Sequence, residues 1–209
     1  MGGAALIAGS AGAIVTMSLH PTGHALLAPA AGASTAHLNV AVHALALFAI
    51  PALFFGMLAL TRRAITGGLG RAALVMHGYG VMAAMCAAVT SGFVATLVAG
   101  QIQDATAPAD AVWRALLTYT GVVNRGFALV WVAATSVAIL LWSAALLRAG
   151  AFNRAVGIYG CVAAPVILVA VLSGRLQLGV HGTGLVVVGQ SIWFIAVGAW
   201  LWREGEAER

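Results

Sequence analysis

The sequence predicts an all-α integral membrane protein with six transmembrane helices, and its composition and hydropathy pattern carry that prediction. Hydrophobic residues make up 62% of the 209 residues and charged residues only 7%, whereas an ordinary soluble domain carries roughly 25% charged residues. The hydrophobic residues occur in continuous runs of about twenty, the length that a helix needs to cross a bilayer. These runs lack the two-residue alternation of barrel strands, so helices are the spanning structure that remains.

Six such runs follow one another and form a single predicted domain over residues 1–209. The runs cover residues 3–19, 38–60, 72–99, 126–147, 155–174 and 181–202. No basic residue precedes the first run, as it would in a secretory signal, and we therefore expect this run to be retained as a helix. Pro51 and Pro165 lie inside the second and fifth runs, where proline bends a helix or leaves a carbonyl group without a partner.

The arginines predict the side of the membrane on which each connection lies. The chain has ten basic residues, all of them arginine, and seven lie on one predicted side. These seven are Arg62, Arg63, Arg71, Arg148, Arg154, Arg203 and Arg209. Because loops rich in arginine remain in the cytoplasm, both termini are predicted to be cytoplasmic. Abundant Ala, Gly and Arg without Lys is typical of a GC-rich bacterial gene, which favours the bacterial inner (plasma) membrane as the location.

The longest external connection, residues 101–120, predicts additional helix. Pro108 and Asp110 are residue types favoured in the first turn of a helix. The apolar residues that follow them have helical spacing. We interpret this segment either as a short helix lying on the membrane surface or as an outward extension of the fourth span.

Spans two and three share a residue pattern with spans four and five. Asn39, Arg62, Tyr79-Gly80 and Ser91-Gly92 recur in the same order as Asn124, Arg148, Tyr159-Gly160 and Ser173-Gly174. A parallel duplication of one helical hairpin would produce this order. The sequence therefore suggests an internal repeat, although Gly- and Ala-rich sequences also generate such matches by chance.

Histidine is the residue type that most favours a chemical role. Five of the six histidines fall at or near the predicted external surface: His20, His24, His37, His43 and His181. Neutral imidazole is the commonest protein ligand of transition metals. Convergence of three or four rings would suit copper or zinc, and two facing rings would suit the iron of haem b. In the alternative interpretations these rings hydrogen-bond lipid headgroups and water at the interface, or they sense pH through their protonation.

The third span holds a second group of candidate ligands. His77 lies towards its internal side, where it either supports a second haem or hydrogen-bonds a neighbouring helix. Met82, Met85 and Cys86 offer the soft sulfur atoms that select copper(I). Methionine also fills gaps in apolar cores, which is the structural interpretation of the same residues.

Four polar residues favour an anion or lipid site instead. Arg125 and Arg175 lie at the external edges of predicted spans, where an arginine usually extends to the interface. If both turned inward beside Asn39 and Asn124, they would bind a carboxylate or a phosphate headgroup. This arrangement predicts a transporter or a lipid-binding protein.

The absence of some residue types excludes several functions. No Asp or Glu lies inside a predicted span, and the chain has no Lys for a retinal Schiff base. The first predicted function is therefore a His-lined external site that binds or passes a transition metal or haem. The alternatives are a transporter or lipid- or anion-binding protein and a structural subunit of a larger membrane complex, and the sequence leaves open whether the protein is an enzyme.

The expected partners follow from the same composition. Membrane lipids surround the apolar helices, and we expect either further copies of the chain or a larger membrane complex around them. The net charge of +5 is spread over separate loops without a concentrated basic patch, which argues against nucleic acid.

Overall fold

A computed structural model describes residues 1–21, 33–65, 67–149 and 154–207. Across these ranges the regular structure is helical, and six spans are long and apolar enough to cross a membrane. The predicted all-α class and the six apolar helices are therefore confirmed. This is the pattern of a membrane protein, because lipid leaves backbone amides to be satisfied within each helix.

Most helices extend beyond the predicted spans, whereas the fifth span ends two residues earlier than predicted, at Leu172. They are α1 (Gly2–Leu19), α2 (Ala33–Ala64), α3 (Gly68–Val89), α4 (Ala95–Asp104), α5 (Ala107–Ala149), α6 (Arg154–Leu172) and α7 (Val180–Ala207). A π-helical segment, Thr90–Val94, joins α3 to α4, so that these three segments form one span. Helix α5 is 43 residues long and runs through much of the connection between the third and fourth predicted spans. The segment after Pro108 is thus a continuous extension of the fourth span, and it is not a separate helix.

Small residues bring the helices close together. Helix α5 packs along α3 and α6, and α1 packs along α2 and α7. A Cβ atom on Gly80 would collide with Thr135 of α5, and a Cβ atom on Gly160 would collide with Ser143 of the same helix. Packing at such short range is what holds helices together where lipid surrounds them.

The same two glycines bear on the suggested repeat. Gly160 faces α5, the other helix of its own hairpin, whereas Gly80 of α3 faces α5 and not α2. The Tyr-Gly pairs therefore occupy different places in their two hairpins. The packing gives the repeat no support.

One end of the bundle is closely packed. Trp142 and Trp193 are fully buried and stack with ring centroids 6.2 Å apart. The Nε1–H of Trp142 donates to Thr61 Oγ1 at 3.1 Å. Around them lie Leu6, Met57, Leu60, Leu146, Val197 and Leu201. We call this region the packed half, and α1 meets α7 there, since Gly3 lies against Trp202.

Candidate functional site

A cavity of about 320 Å³ lies in the opposite half of the bundle. On each helix the lining residues recur every three or four positions, so they form one stripe facing inwards. The stripes include His43, Ala46, Ile50 and Leu53 of α2, His77, Val81, Ala84 and Ala88 of α3, Asn124, Ala128, Trp131 and Thr135 of α5, and Thr183, Val187, Gln190 and Phe194 of α7. Alanine is frequent in these stripes, and its small side chain leaves the space open.

The cavity is elongated along the helix axes. Asn124 and Thr135 both line it, and eleven residues of helix rise about 16 Å. Thr135 lies level with Gly80 of α3, while His43 lies against Gly92 further along the same span. We call the end with His20, His43 and Asn124 the outer end, and the end with His77 and Thr135 the inner end.

Two of the predicted histidines meet at the outer end. The Nε2 atoms of His20 and His43 are 3.2 Å apart, and the two rings meet edge to face with centroids 4.7 Å apart. His20 follows the end of α1, and His43 is a buried residue of α2. The sequence predicted that some of five histidines would converge, and it did not specify that these two would meet.

The other ring nitrogens fix the protonation of this pair. His20 Nδ1 lies 2.7 Å from the carbonyl oxygen of Pro21, and His43 Nδ1 lies 2.7 Å from the carbonyl oxygen of Asn39. A carbonyl oxygen only accepts, so each Nδ1 must carry the proton and donate it. In the neutral rings each Nε2 atom then carries a lone pair, and the two atoms lie 3.2 Å apart. Burial lowers the pKa of the His20 imidazole below its ordinary value, and the hydrogen bond to Pro21 opposes part of that effect.

His43 is held in place by the π-helical segment opposite it. A Cβ atom on Gly92 would collide with the His43 side chain, so glycine is required for this close approach. The Nδ2 group of Asn39 contacts Ser91 O at 3.0 Å and Thr96 Oγ1 at 2.9 Å. Single π turns of this kind occur frequently at functional sites. Asn39, predicted as a ligand-binding residue, is buried and absent from the cavity lining described above, and its amide supports the π segment.

The spacing of the pair distinguishes between two kinds of metal centre. In a tetrahedral site with metal–nitrogen bonds of 2.0–2.1 Å, two ligand nitrogens lie about 3.3 Å apart. Opposite axial ligands of a haem iron would lie about twice the metal–nitrogen distance apart, roughly 4 Å. The 3.2 Å separation fits two neighbouring positions on a small ion and does not fit the axial positions of haem b.

The remaining predicted ligands are dispersed. His37 and His181 are exposed, and neither lines the cavity in the described structure. His24 lies outside the described residues. Among the residues that are described, no group of three or more His, Cys, Asp or Glu side chains comes together. Met17 lies three residues before His20 and lines the same cavity, so a thioether is the additional soft donor nearest in sequence to the pair.

The two predicted arginines also lie apart, and only one of them lines the cavity among the described residues. Arg125 lines the outer end of the cavity beside Asn124. The Asn124 Oδ1 atom is buried and has no hydrogen-bond partner in the described part of the chain. Arg175 is exposed in the turn before α7 and is outside the described lining. One cation and one amide therefore face the cavity where two cations were expected.

The inner end contains polar groups that sequence reasoning did not assign to a site. His77 is 2% exposed, and neither of its ring nitrogens has a hydrogen-bond partner among the described residues. Its ring lies 5.4 Å from that of Trp142 and 5.7 Å from that of Phe194, measured between centroids. The Thr135 hydroxyl is likewise buried and unpartnered within the described ranges. In the sequence, the helical spacing of Asn124 and Thr135 was the feature that could have indicated a polar face on α5.

Comparisons with known proteins add no functional information to this geometry. No protein-family model, curated protein or solved structure matches the chain. The functional argument therefore rests on the cavity and on the polar groups that line it.

Proposed function

We propose that the protein binds a copper or zinc ion between His20 and His43, at the outer end of the cavity. The observation that supports this proposal is the 3.2 Å separation of two Nε2 atoms whose rings both donate through Nδ1. Two lone pairs at this distance repel each other, and a cation that lies beside both relieves the repulsion. Metal-ligating histidines usually donate their other N–H to a carbonyl or carboxylate, which orients the ring.

Copper is favoured over zinc if Met17 supplies a third ligand. Thioether sulfur is a soft ligand that favours copper(I), whereas imidazole accepts both metals. Met17 is partly buried and lines the cavity with His20 and His43. Two or three protein ligands leave a coordination position open towards the cavity, and an open position suits an ion that is exchanged or passed on.

The test is the metal content of the purified protein. Wild type, His20→Ala and His43→Gln are incubated separately with copper(I), copper(II) and zinc, freed of excess metal and analysed for bound metal. We expect one ion per chain in the wild type and a loss of at least tenfold in occupancy in each variant. His37→Ala and His181→Ala are matched controls, because they remove exposed histidines outside the described lining, and both are expected to retain the ion.

The proposal fails in either of two cases. One is a wild-type protein that remains free of metal under all three conditions. The other is a double variant at His20 and His43 that holds as much metal as the wild type while keeping its helical circular dichroism and its elution volume. His20→Ala is the variant less prone to misfolding, since His20 lies beyond the end of α1 and is less buried than His43.

A second candidate function is the binding of an anionic headgroup at the outer end. It is supported by Arg125, which lines the cavity beside the unpartnered amide oxygen of Asn124. A short-chain phosphatidic acid is the probe, measured with metal-free protein. Arg125→Gln should weaken its binding several-fold, and Arg175→Gln is the control because Arg175 is outside the described lining. Equal effects of both substitutions would argue against a headgroup site in the cavity.

We also propose that both termini face the cytoplasm of a bacterium and that the histidine pair faces the outside of its inner membrane. The excess of arginine at the end that contains Arg62, Arg63 and Arg148 supports this orientation. In a variant without Cys86 and Cys161, a cysteine at Ala111 should react with an impermeant reagent in intact cells, and one at Gly67 should not. The reverse pattern would invert the orientation. The internal repeat remains a prediction from residue order.

A further inference from the structure

The inner end of the cavity has open volume, and two of the side chains that line it carry buried polar atoms without partners among the described residues. His77 and Thr135 both line it, and both are at least 98% buried. Neither ring nitrogen of His77 nor the hydroxyl of Thr135 has a partner among the described residues. A buried polar group without a hydrogen bond costs free energy, so a ligand that supplies hydrogen bonds here gains binding energy.

We propose that the inner half of the cavity binds a neutral apolar ring molecule of the quinone class, with His77 and Thr135 hydrogen-bonding to its ring oxygen. The imidazole N–H and the hydroxyl of Thr135 both donate to a carbonyl oxygen. A neutral imidazole also offers one lone pair, and the hydroxyl of a quinol donates to it. Quinones and quinols therefore match both roles of the His77 ring.

The charges around the cavity favour a neutral ligand. Arg125 is the formally charged side chain among the described lining residues, and it lies at the outer end. Thr135 lies ten residues further along α5, about 15 Å away along the helix axis. A charged group at the inner end would have no counter-ion among the described lining residues, and an unpaired charge within a membrane span is costly.

The walls favour a ring with an apolar body. Leu53, Val81 and Ala84 form apolar surfaces near the inner end, and Trp131 and Phe194 add aromatic rings. The volume of about 320 Å³ lies at the lower end of the usual range for ligand pockets, about 300–1,000 Å³. It suits a substituted ring with a short tail. A fatty chain would place its methyl end against His77 and Thr135 and leave their polar atoms unpaired.

This proposal is independent of the metal ion proposed at His20 and His43. It concerns other side chains, and its test uses metal-free protein in the presence of a chelator. Failure of one proposal therefore leaves the other in place. Binding of the ring molecule with no metal site, or a metal site without ring binding, would each be recognised directly.

The experiment compares two probes of nearly equal shape. Duroquinone is a tetramethyl ring with two carbonyl groups, and durene is the same tetramethyl ring without them. Binding to the purified full-length protein is measured by equilibrium dialysis at fixed detergent concentration, together with the shift in the thermal unfolding midpoint. We expect saturable binding of one duroquinone per chain and at least tenfold weaker binding of durene.

Variants assign the polar contacts. Thr135→Val removes the hydroxyl and keeps the side-chain shape, so it should weaken duroquinone binding about tenfold and leave durene binding unchanged. Thr118→Val is the matched control, since Thr118 is an exposed residue of the same helix whose hydroxyl donates to its own backbone at Arg114. His77→Phe should abolish the preference for duroquinone over durene.

Three results would overturn the proposal. The first is equal binding of duroquinone and durene, which would make the cavity a general apolar pocket. The second is unchanged duroquinone binding in Thr135→Val and His77→Phe with the fold retained. The third is the absence of saturable duroquinone binding, which would follow if water alone satisfied the polar groups at the inner end.

Discussion

The packed half and the cavity half of the bundle are built on the same helices and differ in side-chain size. On α5, Ala128 lines the cavity and Trp142 fills the core, and the two are fourteen residues apart. Fourteen residues are close to four helical turns, so both lie on the same face of the helix. Small residues such as Ala128 therefore leave open the space that larger residues such as Trp142 fill on the same face of α5. A change in the course of the helix is not needed to explain the cavity.

The halves also differ in what surrounds their unpaired polar groups. In the packed half, the Ser143 hydroxyl and the Trp193 Nε1 atom lack partners within the described chain, and Gly160 lies directly beside both. His77 and Thr135 lack partners too, and the Thr135 hydroxyl lies beside Gly80, but both of these residues also line the open cavity. An unpaired group indicates a ligand only where there is room for one. This difference directed the search for a site to the cavity half.

The largest effect on stability is expected from Trp142→Ala. Trp142 is fully buried, stacks on Trp193 and donates to Thr61. Its truncation leaves a cavity in a closely packed region and should lower the free energy of unfolding by about 3–5 kcal/mol. Thermal unfolding in detergent, followed by circular dichroism, measures the loss. A loss below about 1 kcal/mol would mean that the two halves are equally loose.

A smaller loss is expected from Gly160→Ala. The added Cβ atom would collide with Ser143 and come within 2.7 Å of Trp193 Nε1. Overpacking of this kind costs about 1–3 kcal/mol. Gly126→Ala is the matched control, because nothing lies within 4 Å of a Cβ atom there. That control should be neutral or stabilise the helix by up to about 1 kcal/mol, and equal losses in both variants would contradict the close contact at Gly160.

The outer histidine pair is tested through Gly92→Ala. The new methyl group would occupy the position of the His43 side chain and displace its ring. We expect at least a tenfold loss of copper or zinc affinity with a stability loss of about 1–2 kcal/mol. Gly184→Ala is the control, since its position in α7 is open. Wild-type metal affinity in Gly92→Ala would show that metal binding does not depend on the position of the His43 ring against Gly92.

Most of the fold could be predicted from the sequence, because hydropathy alone locates helices that cross a membrane. The extension of α5 was left undecided, since a surface helix and a longer span place apolar residues at the same spacing. The His20–His43 contact joins residues 23 positions apart, one just beyond the end of α1 and the other in α2, and no local pattern specifies which histidines meet. Thr135 was overlooked because a hydroxyl in an apolar run resembles ordinary helix packing.

The smallest expected effect gives the sharpest comparison between the halves. Ala128 and Ala145 lie on the same helix and are 7% and 8% exposed, but Ala128 faces the cavity and Ala145 belongs to the packed core. Ala145→Leu should cost about 1–3 kcal/mol, since closely packed cores resist added atoms. Ala128→Leu has room for its new carbons and should change the stability by less than about 1 kcal/mol. It should nevertheless abolish duroquinone binding, because the leucine occupies the space of the ring, and a loss of stability equal to that of Ala145→Leu would mean that the cavity is closed in solution.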